Sequence, residues 1–391
     1  MASAPASTPE TSFLRDPRVR SIFWQVLLLA LLAGAVVGLV RVAAGNLRDN
    51  HITSGFGFWN QPANFDISQT LIDYSSSTST YGRAFWVGLC NTLLVAAIGI
   101  VLATIVGFVI GIARLSTNWL VAHLAAGYVQ LVRNVPLLLQ LLFWYNAVLK
   151  ALPDFRDSLH LPGGGYLNNR GLFLPSADFG GAGETIMAAL GVGIVATIVL
   201  VVLARGGRIA AGLATGLAAA FLVGLPVVAA LASGAHVTFD FPQMSRFNLR
   251  GGMEVIPELV ALLLGLVIYT GAFIAETVRA GISAVQRGQI EAAEALGLPR
   301  ILTLRRVIIP QAMRVIIPPL TSQYLNLTKN SSLAVAIGYP DLVQIFTGTV
   351  LNQTAQAVEI VAITMAVYLV ISLVTSFLMN LYNARMALRE R

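Results

Sequence analysis

A chain of 391 residues that is 56% hydrophobic and 11% charged has too little polar surface to clothe a globule in water, since a soluble domain holds about 25% charged residues. Its net charge of +7 would suit a nucleic-acid binder were it soluble. The basic residues instead stand between long apolar runs, as a membrane orientation signal does. Composition thus excludes a string of soluble domains and predicts one bundle of membrane-spanning helices.

The chain opens with MASAPASTPETSFLRDPRVR, a mostly polar stretch. A secretory signal has a short basic start and a short apolar core; here both the leader and the run after it are longer. Residues 1–21 are therefore expected as a cytoplasmic segment and 22–41 as an uncleaved first transmembrane helix. Crossing the hydrocarbon takes about 20 apolar residues in a helix. After a polar stretch at 42–83, residues 84–113 are free of charge, and 119–149 are apolar apart from Arg133-Asn134-Val135-Pro136. The block 84–149 thus holds a second and a third span. Residues 150–184 form another loop. Two spans follow within 185–235, joined by the tight turn Arg205-Gly206-Gly207-Arg208, and 236–258 is a further loop. The block 259–381 holds three more spans, near 259–275, 315–335 and 360–381, and 382–391 is a tail.

With the N-terminus inside, fifteen Lys and Arg residues fall in inside segments and eight in outside segments, while Arg133 and Lys329 lie at or within spans. That imbalance supports eight spans with both termini cytoplasmic. In the outer loop 150–184, Gly163-Gly164-Gly165 and Gly180-Gly181 read as flexible connections. A phosphate cradle would need Gly-Lys-Ser/Thr to follow them, and it does not. Cys90, the single cysteine, reads as a small packing residue. His51, His123, His160 and His236 are scattered, and neither HExxH nor GxSxG occurs, so no catalytic or metal site is expected. Trp119, Trp144 and Tyr145 read as interface anchors or packing.

The inside segment between the sixth and seventh spans is the most informative. Residues 289–296 favour a helix, Gly297 ends it, Pro299 opens a second short helix and Pro310 ends that one. The expected product is a helix–turn–helix on the cytoplasmic face. Ala292, Ala293 and Gly297 would give it a small-residue surface that another backbone can approach. A solvated loop made helical by chance is the plainer alternative.

Glu291-Ala292-Ala293, three residues, Gly297, nine residues, then Val307-Ile308-Ile309-Pro310 resembles the EAA loop of ABC import permeases. The family pattern is EAA, three residues, G, nine residues, then I-x-L-P; Val307 and Ile309 are conservative departures. Three other segments are similar to the polar amino acid branch of that family. They are Asn91-Thr92-Leu93-Leu94, Arg133-Asn134-Val135-Pro136-Leu137-Leu138-Leu139-Gln140 and Ala275-Glu276-Thr277-Val278-Arg279-Ala280-Gly281. The chain length and residues 321–340 look like permeases of the general L-amino acid and glutamate/glutamine/aspartate/asparagine type.

The resemblance implies an all-α membrane protein of about eight transmembrane helices. A five-helix type I importer core (MetI-like) would carry one N-terminal helix and two inserted helices at 185–235. It implies a transport subunit of a bacterial inner membrane, not an enzyme, with no cofactor of its own. It implies that loop 287–310, through Glu291, Ala292, Ala293, Gly297 and Pro310, docks on a separate ABC ATPase subunit that binds ATP-Mg. A periplasmic solute-binding protein and a homologous second permease subunit are the other implied partners, with the lipid bilayer and an amino acid substrate but no nucleic acid.

ATP chemistry has to come from another chain, because a P-loop sets Gly directly before Lys. The two lysines, Lys150 and Lys329, follow Leu149 and Thr328. Polar side chains within spans face the bundle or a water-filled path. Gln323, Asn326 and Asn330 sit at i, i+3 and i+7, one helix face, with Lys329 beside them. An amino acid zwitterion needs partners for a carboxylate and an ammonium. Lys329 or Arg133 suits the first, and the amides suit either. The amides equally suit hydrogen bonding between helices, and Arg133 equally suits snorkelling to the interface; both alternatives stand. Glu276 and Arg279, three apart on a helix, are expected to pair. An ion-gradient-driven secondary transporter would account for the spans but leaves 287–310 without a role.

Overall fold

The computed structural model describes residues 17–49, 55–178, 182–205, 209–234, 238–246 and 248–386. In chain order, α1 (Pro17–Asp49), α2 (Tyr81–Ala113) and α3 (Trp119–Asn134) lead to α4 (Leu137–Leu142), which runs on as π-helical Phe143–Leu149. Then come α5 (Gly183–Arg205) and α6 (Ala211–Ala219), the latter continuing through a π turn at Ala220–Gly224 into α7 (Leu225–Ala232). After α8 (Pro257–Ser283) come α9 (Arg287–Ala295), α10 (Arg300–Thr303), α11 (Ile309–Asn330), α12 (Leu351–Thr354) and α13 (Ala357–Met386).

Among the described residues, five helices are long and apolar enough to cross a membrane: Arg20–Leu39, Tyr81–Ala113, Gly212–Ala232, Pro257–Ser283 and Ala357–Leu381. A sixth arises if α3 and Leu137–Leu149 count as one span, although they meet at 104°. The expected eight are not reached on these terms. One reason is α11, in which Gln311, Arg314, Gln323, Asn326, Lys329 and Asn330 dilute an otherwise apolar helix. α11 is held by packing instead, burying Ile316, Ile317, Leu320 and Leu327. α5, 23 residues long and apolar, lies along α6 and α7 as one arm of the inserted hairpin. Residues 206–208 of the expected tight turn, and the expected Gly180-Gly181 connection, lie outside the described residues.

The break between α3 and α4 follows from Pro136. The residue before a proline is driven out of the helical region, and Val135 is extended at φ −101°, ψ 127°. Gln140 is buried there, and its Nε2 donates to the carbonyls of Val132 and Val135, each at 3.0 Å. It thereby satisfies acceptors that the lost turn leaves open.

α2 and α8 lie side by side along most of their length. Glycines on α2 allow the approach: a Cβ on Gly107 would sit 2.4 Å from Ile274, and one on Gly111 would sit 2.7 Å from the Ala275 carbonyl. Small residues are how membrane helices gain van der Waals contact where lipid offers no hydrophobic drive. A buried polar knot ties α2 to the segment after α11. Asn91 Nδ2 donates to the carbonyls of Gln69 at 2.9 Å and Pro340 at 2.8 Å, and Leu342 N–H donates to Thr92 Oγ1 at 3.0 Å. Tyr368 OH reaches from α13 to Asp341 Oδ2 at 3.2 Å.

The loops at 150–184 and 236–258 carry structure that the helix-only expectation omits. β1 (Leu159–Leu161), β2 (Gly165–Asn168) and β3 (Gly171–Leu174) form an antiparallel sheet. Further on lie β4 (Ser176–Asp178), β5 (Thr238–Asp240), β6 (Gln243–Met244), β7 (Leu249–Arg250) and β8 (Met253–Val255). β8 joins the sheet beside β3, pairing Leu172 with Val255, while β4 pairs with β5. The two loops on either side of the inserted hairpin are thus stitched to each other. The Gly163-Gly164-Gly165 stretch is no slack connection: Gly163 and Gly164 take φ of 91° and 85° in the turn from β1 to β2, a conformation that glycine adopts freely. Burial raises the Glu254 carboxyl above its usual range in β8, against the opposing pull of Arg170.

Candidate functional site

Two features gather the residues singled out in the sequence: a loop at the far end of α8 from the sheet, and a polar cavity between α8 and α11.

α9 closes in a Schellman turn. The Gly297 N–H donates to the Glu294 carbonyl at 2.9 Å, and the Leu298 N–H donates to the Ala293 carbonyl at 3.1 Å. Gly297 sits at φ +68°, the left-handed conformation this motif demands at that place. Pro299 caps α10 in extended conformation. Ala293 is buried, whereas Glu291, Ala292 and Gly297 are exposed, so the expected small-residue surface loses Ala293 to the interior. Pro310 does not end the second helix. The chain stays helical from α10 through π-helical Leu304–Ile308 into α11. Proline lacks only one donor, and a π turn just before it is a form helices use to absorb such a loss. Between α9 and α10 runs a groove of about 450 Å³ lined by Ile290, Glu294, Leu298, Arg300, Thr303, Leu304 and Ile308. At its edge Leu296 and Ile301 project, 78% and 77% exposed.

Gln323, Asn326 and Asn330 do share one face, and with Tyr269, Thr270 and Phe273 of α8 they line a cavity of about 300 Å³. Asn326 is exposed and Gln323 and Asn330 are half-buried. Arg133, at the end of α3, lies over the Phe273 ring, 4.9 Å from its centroid. Lys329 is separated from the amides. It lines a different cavity, of about 370 Å³, with Ser332, Val343, Thr364, Met365, Tyr368, Leu369 and Ser372. One step along a helix turns a side chain by about 100°, which takes Lys329 off the amide face and toward α13. The α8 contribution escaped the sequence reading, although Tyr269, Thr270 and Phe273 stand at i, i+1 and i+4, a spacing that shares one helix side.

Below the cavity, Glu276 pairs with Arg279 as expected, at 2.6 Å. It also pairs with Arg114 at the end of α2. One carboxylate therefore joins two helices just before the chain enters the α9–α10 loop.

The family described as binding-protein-dependent transport system inner membrane component matches residues 220–388. The general L-amino acid transport system permease protein AapQ of Rhizobium johnstonii is 51% identical to this chain, over 97% of it and 95% of AapQ. The chain belongs to the amino-acid ABC transporter permeases. The permease is also 40% identical to the glutamate/glutamine/aspartate/asparagine transport system permease protein BztB of Rhodobacter capsulatus, over 96% of each chain. Among solved structures, a chain from the crystal structure of an amino acid ABC transporter with histidines aligns at 23% identity. That alignment covers 78% of this permease and 95% of the other chain, with a TM-score of 0.47. The family match spans both the loop and the amides of this permease, while Arg133 lies before it. It is a multi-pass membrane protein and a translocation subunit.

Proposed function

We propose that this permease forms half of the translocation path of a binding-protein-dependent importer for polar L-amino acids. Glutamate, glutamine, aspartate, asparagine or a broader range would be its cargo, as the names of AapQ and BztB suggest for those relatives. The observation that carries the reading is the amide face of α11. Asn326 is exposed on the single chain, with Gln323 and Asn330 beside it. Amides set against hydrocarbon are costly, so such a face turns to water or to another subunit. A homologous second permease covering that face would enclose a polar path between the two.

The α9–α10 loop supplies the second half of the reading. Leu296 and Ile301 offer an apolar tip beside a groove, which fits insertion into an ATPase subunit that binds ATP-Mg. The loop then lies in the cytoplasm of a bacterial cell, both termini lie inside, and a periplasmic solute-binding protein docks at the opposite end. The excess of Lys and Arg on that inside supports the orientation. Glu291, Ala292, Ala293, Gly297 and Pro310 shape the loop, while Gln323, Asn326 and Asn330 face the cargo. The permease itself carries no cofactor in this scheme. Lys329 and Arg133 serve from outside the cavity wall.

Co-expression with its neighbours and purification in mild detergent tests this. An ATPase and a second permease are expected to co-purify, and reconstituted vesicles are expected to take up amino acids only with ATP on the side the loop faces and the solute-binding protein on the other. Gradient-driven uptake by this chain alone would replace the proposal with a secondary transporter.

A further inference from the structure

The sheet that stitches together the two loops around the inserted hairpin has two unlike faces. Side chains alternate along a strand, so cross-strand partners share a face. His160, Tyr166, Phe173 and Glu254 stand in one row across β1, β2, β3 and β8. The chain closes much of this polar face itself. Asn168 Nδ2 donates to Ser158 Oγ at 2.9 Å, and Ser158 Oγ donates to the Phe155 carbonyl at 2.5 Å. Asn168 and Phe173 are each only 1% exposed.

On the opposite face, Leu159, Leu167, Leu172 and Val255 form one row. Leu161 of β1 and the pair Leu174–Met253 extend it. None of these side chains can donate a hydrogen bond. The corners of the face are open, with Leu159 47% and Met253 50% exposed. Apolar surface continues past the turn from β1 to β2, where Phe241 stands against Gly164. Phe239, on β5, is 64% exposed.

Two observations indicate what covers this face. The first is place. Only Ile256 separates β8 from α8, a helix long and apolar enough to cross a membrane, so Val255 stands about 7 Å from its start. β4 and β5 flank the inserted hairpin and pair with each other at its base. The face is thus continuous with surfaces that lipid covers. The second is composition. Protein-docking surfaces concentrate Tyr, Trp and Arg and carry hydrogen bonds, whereas the aliphatic rows hold none of the three. Hydrocarbon asks for no such partners. Amphipathic elements of this kind settle about 5–10 Å into the headgroup boundary.

We infer that this sheet lies on the bilayer, with its aliphatic face, Phe239 and Phe241 seated among acyl chains beneath the headgroups, at the end of the molecule opposite the α9–α10 loop. It tethers the inserted hairpin, whose helices pack chiefly on one another, to the start of α8. The contact does not depend on what the path carries.

Nitroxide labels on the assembled transporter, in vesicles of phosphatidylethanolamine and phosphatidylglycerol, test this. Cys90→Ser supplies the background. Leu159→Cys, Phe239→Cys, Met253→Cys and, on the polar face, His160→Cys are then labelled one at a time. Three apolar positions keep the test decisive should one variant fail to assemble. At those three, collisions with oxygen, which partitions into lipid, should exceed collisions with a water-soluble nickel chelate. At position 160 the order should reverse. Nickel access equal to or above oxygen access at the apolar positions would overturn the proposal. Shielding from both reagents, which marks a protein neighbour, would do the same. So would shielding from nickel that appears only when the solute-binding protein is added, which marks a docking surface.

Discussion

The Leu298 N–H reaches back over Gly297 to the Ala293 carbonyl at 3.1 Å and so turns the chain out of α9 just before Pro299 starts α10. The turn depends on the positive φ of Gly297, and among the described residues, its two chain neighbours aside, no atom lies within 4 Å of where a Cβ would stand. The glycine therefore serves the backbone, and the space beside it is open to a partner.

Gly297→Asp should remain in the membrane, because left-handed strain adds only about 1–2 kcal/mol. It should abolish ATP-driven uptake by filling the approach that a docking partner needs. Uptake by vesicles, normalised to the amount of variant recovered, checks this; normal transport would contradict docking at the turn.

Leu296→Glu combined with Ile301→Glu removes two apolar side chains that contribute nothing to the interior. The double variant should fold and melt like the parent, yet lose the co-purifying ATPase. Each well-buried leucine at a contact contributes about 1.5–3 kcal/mol, so the combined loss in affinity should be at least about tenfold. Retention of the ATPase at parental stoichiometry would count against this surface.

Asn326→Leu should change the KM or maximal rate of uptake with assembly intact, since Asn326 is exposed and its loss leaves no hole. If the complex instead falls apart while the surviving fraction transports normally, the amides are interhelical glue.

Glu276→Gln should lower thermal stability in detergent by about 1–2 kcal/mol, the worth of charged hydrogen bonds at a partly exposed site. Arg114 and Arg279 would lose a shared partner. Adding Arg114→Gln to it should cost less than the two single losses combined, which a double-mutant cycle measures directly. Strict additivity would show that the α2–α8 pairing does not couple them.

The sequence was legible where physics is local. Charge-free runs marked α2, α8 and α13, and Pro136 marked an interruption, because apolar length and proline chemistry act over a few neighbouring residues. The spacing from Glu291 to Pro310 pointed to the family through the same kind of short-range regularity. What stayed hidden depends on residues far apart in the chain. Glu276 gave away its partner three positions on, but Arg114 lies 162 positions before it. The strands at 159–174 and 253–255 are each three or four residues long, too short for an alternating pattern to declare itself. α11 was harder to read. Residues 315–335 read as a span although the amides dilute the apolar run of α11, and Lys329 looked like their companion until the helix turned it toward α13. Pro310 was read as a stop because the compensating π turn carries no marker in the residues before it.

From Arg300 to Asn330 the backbone is helical without interruption for 31 residues. At about 1.5 Å per residue that is a rod of about 45 Å. The loop tip lies at one end, and Gln323, Asn326 and Asn330 lie toward the other. Asn330 lies 12 residues, about 18 Å, beyond Pro318, so a swing of about 5° about that point displaces it by about 1.6 Å. Pro318 and Pro319 within the rod mark its natural fulcrum. Work delivered to the tip would thus arrive at the cavity as leverage, with no relay of side chains in between.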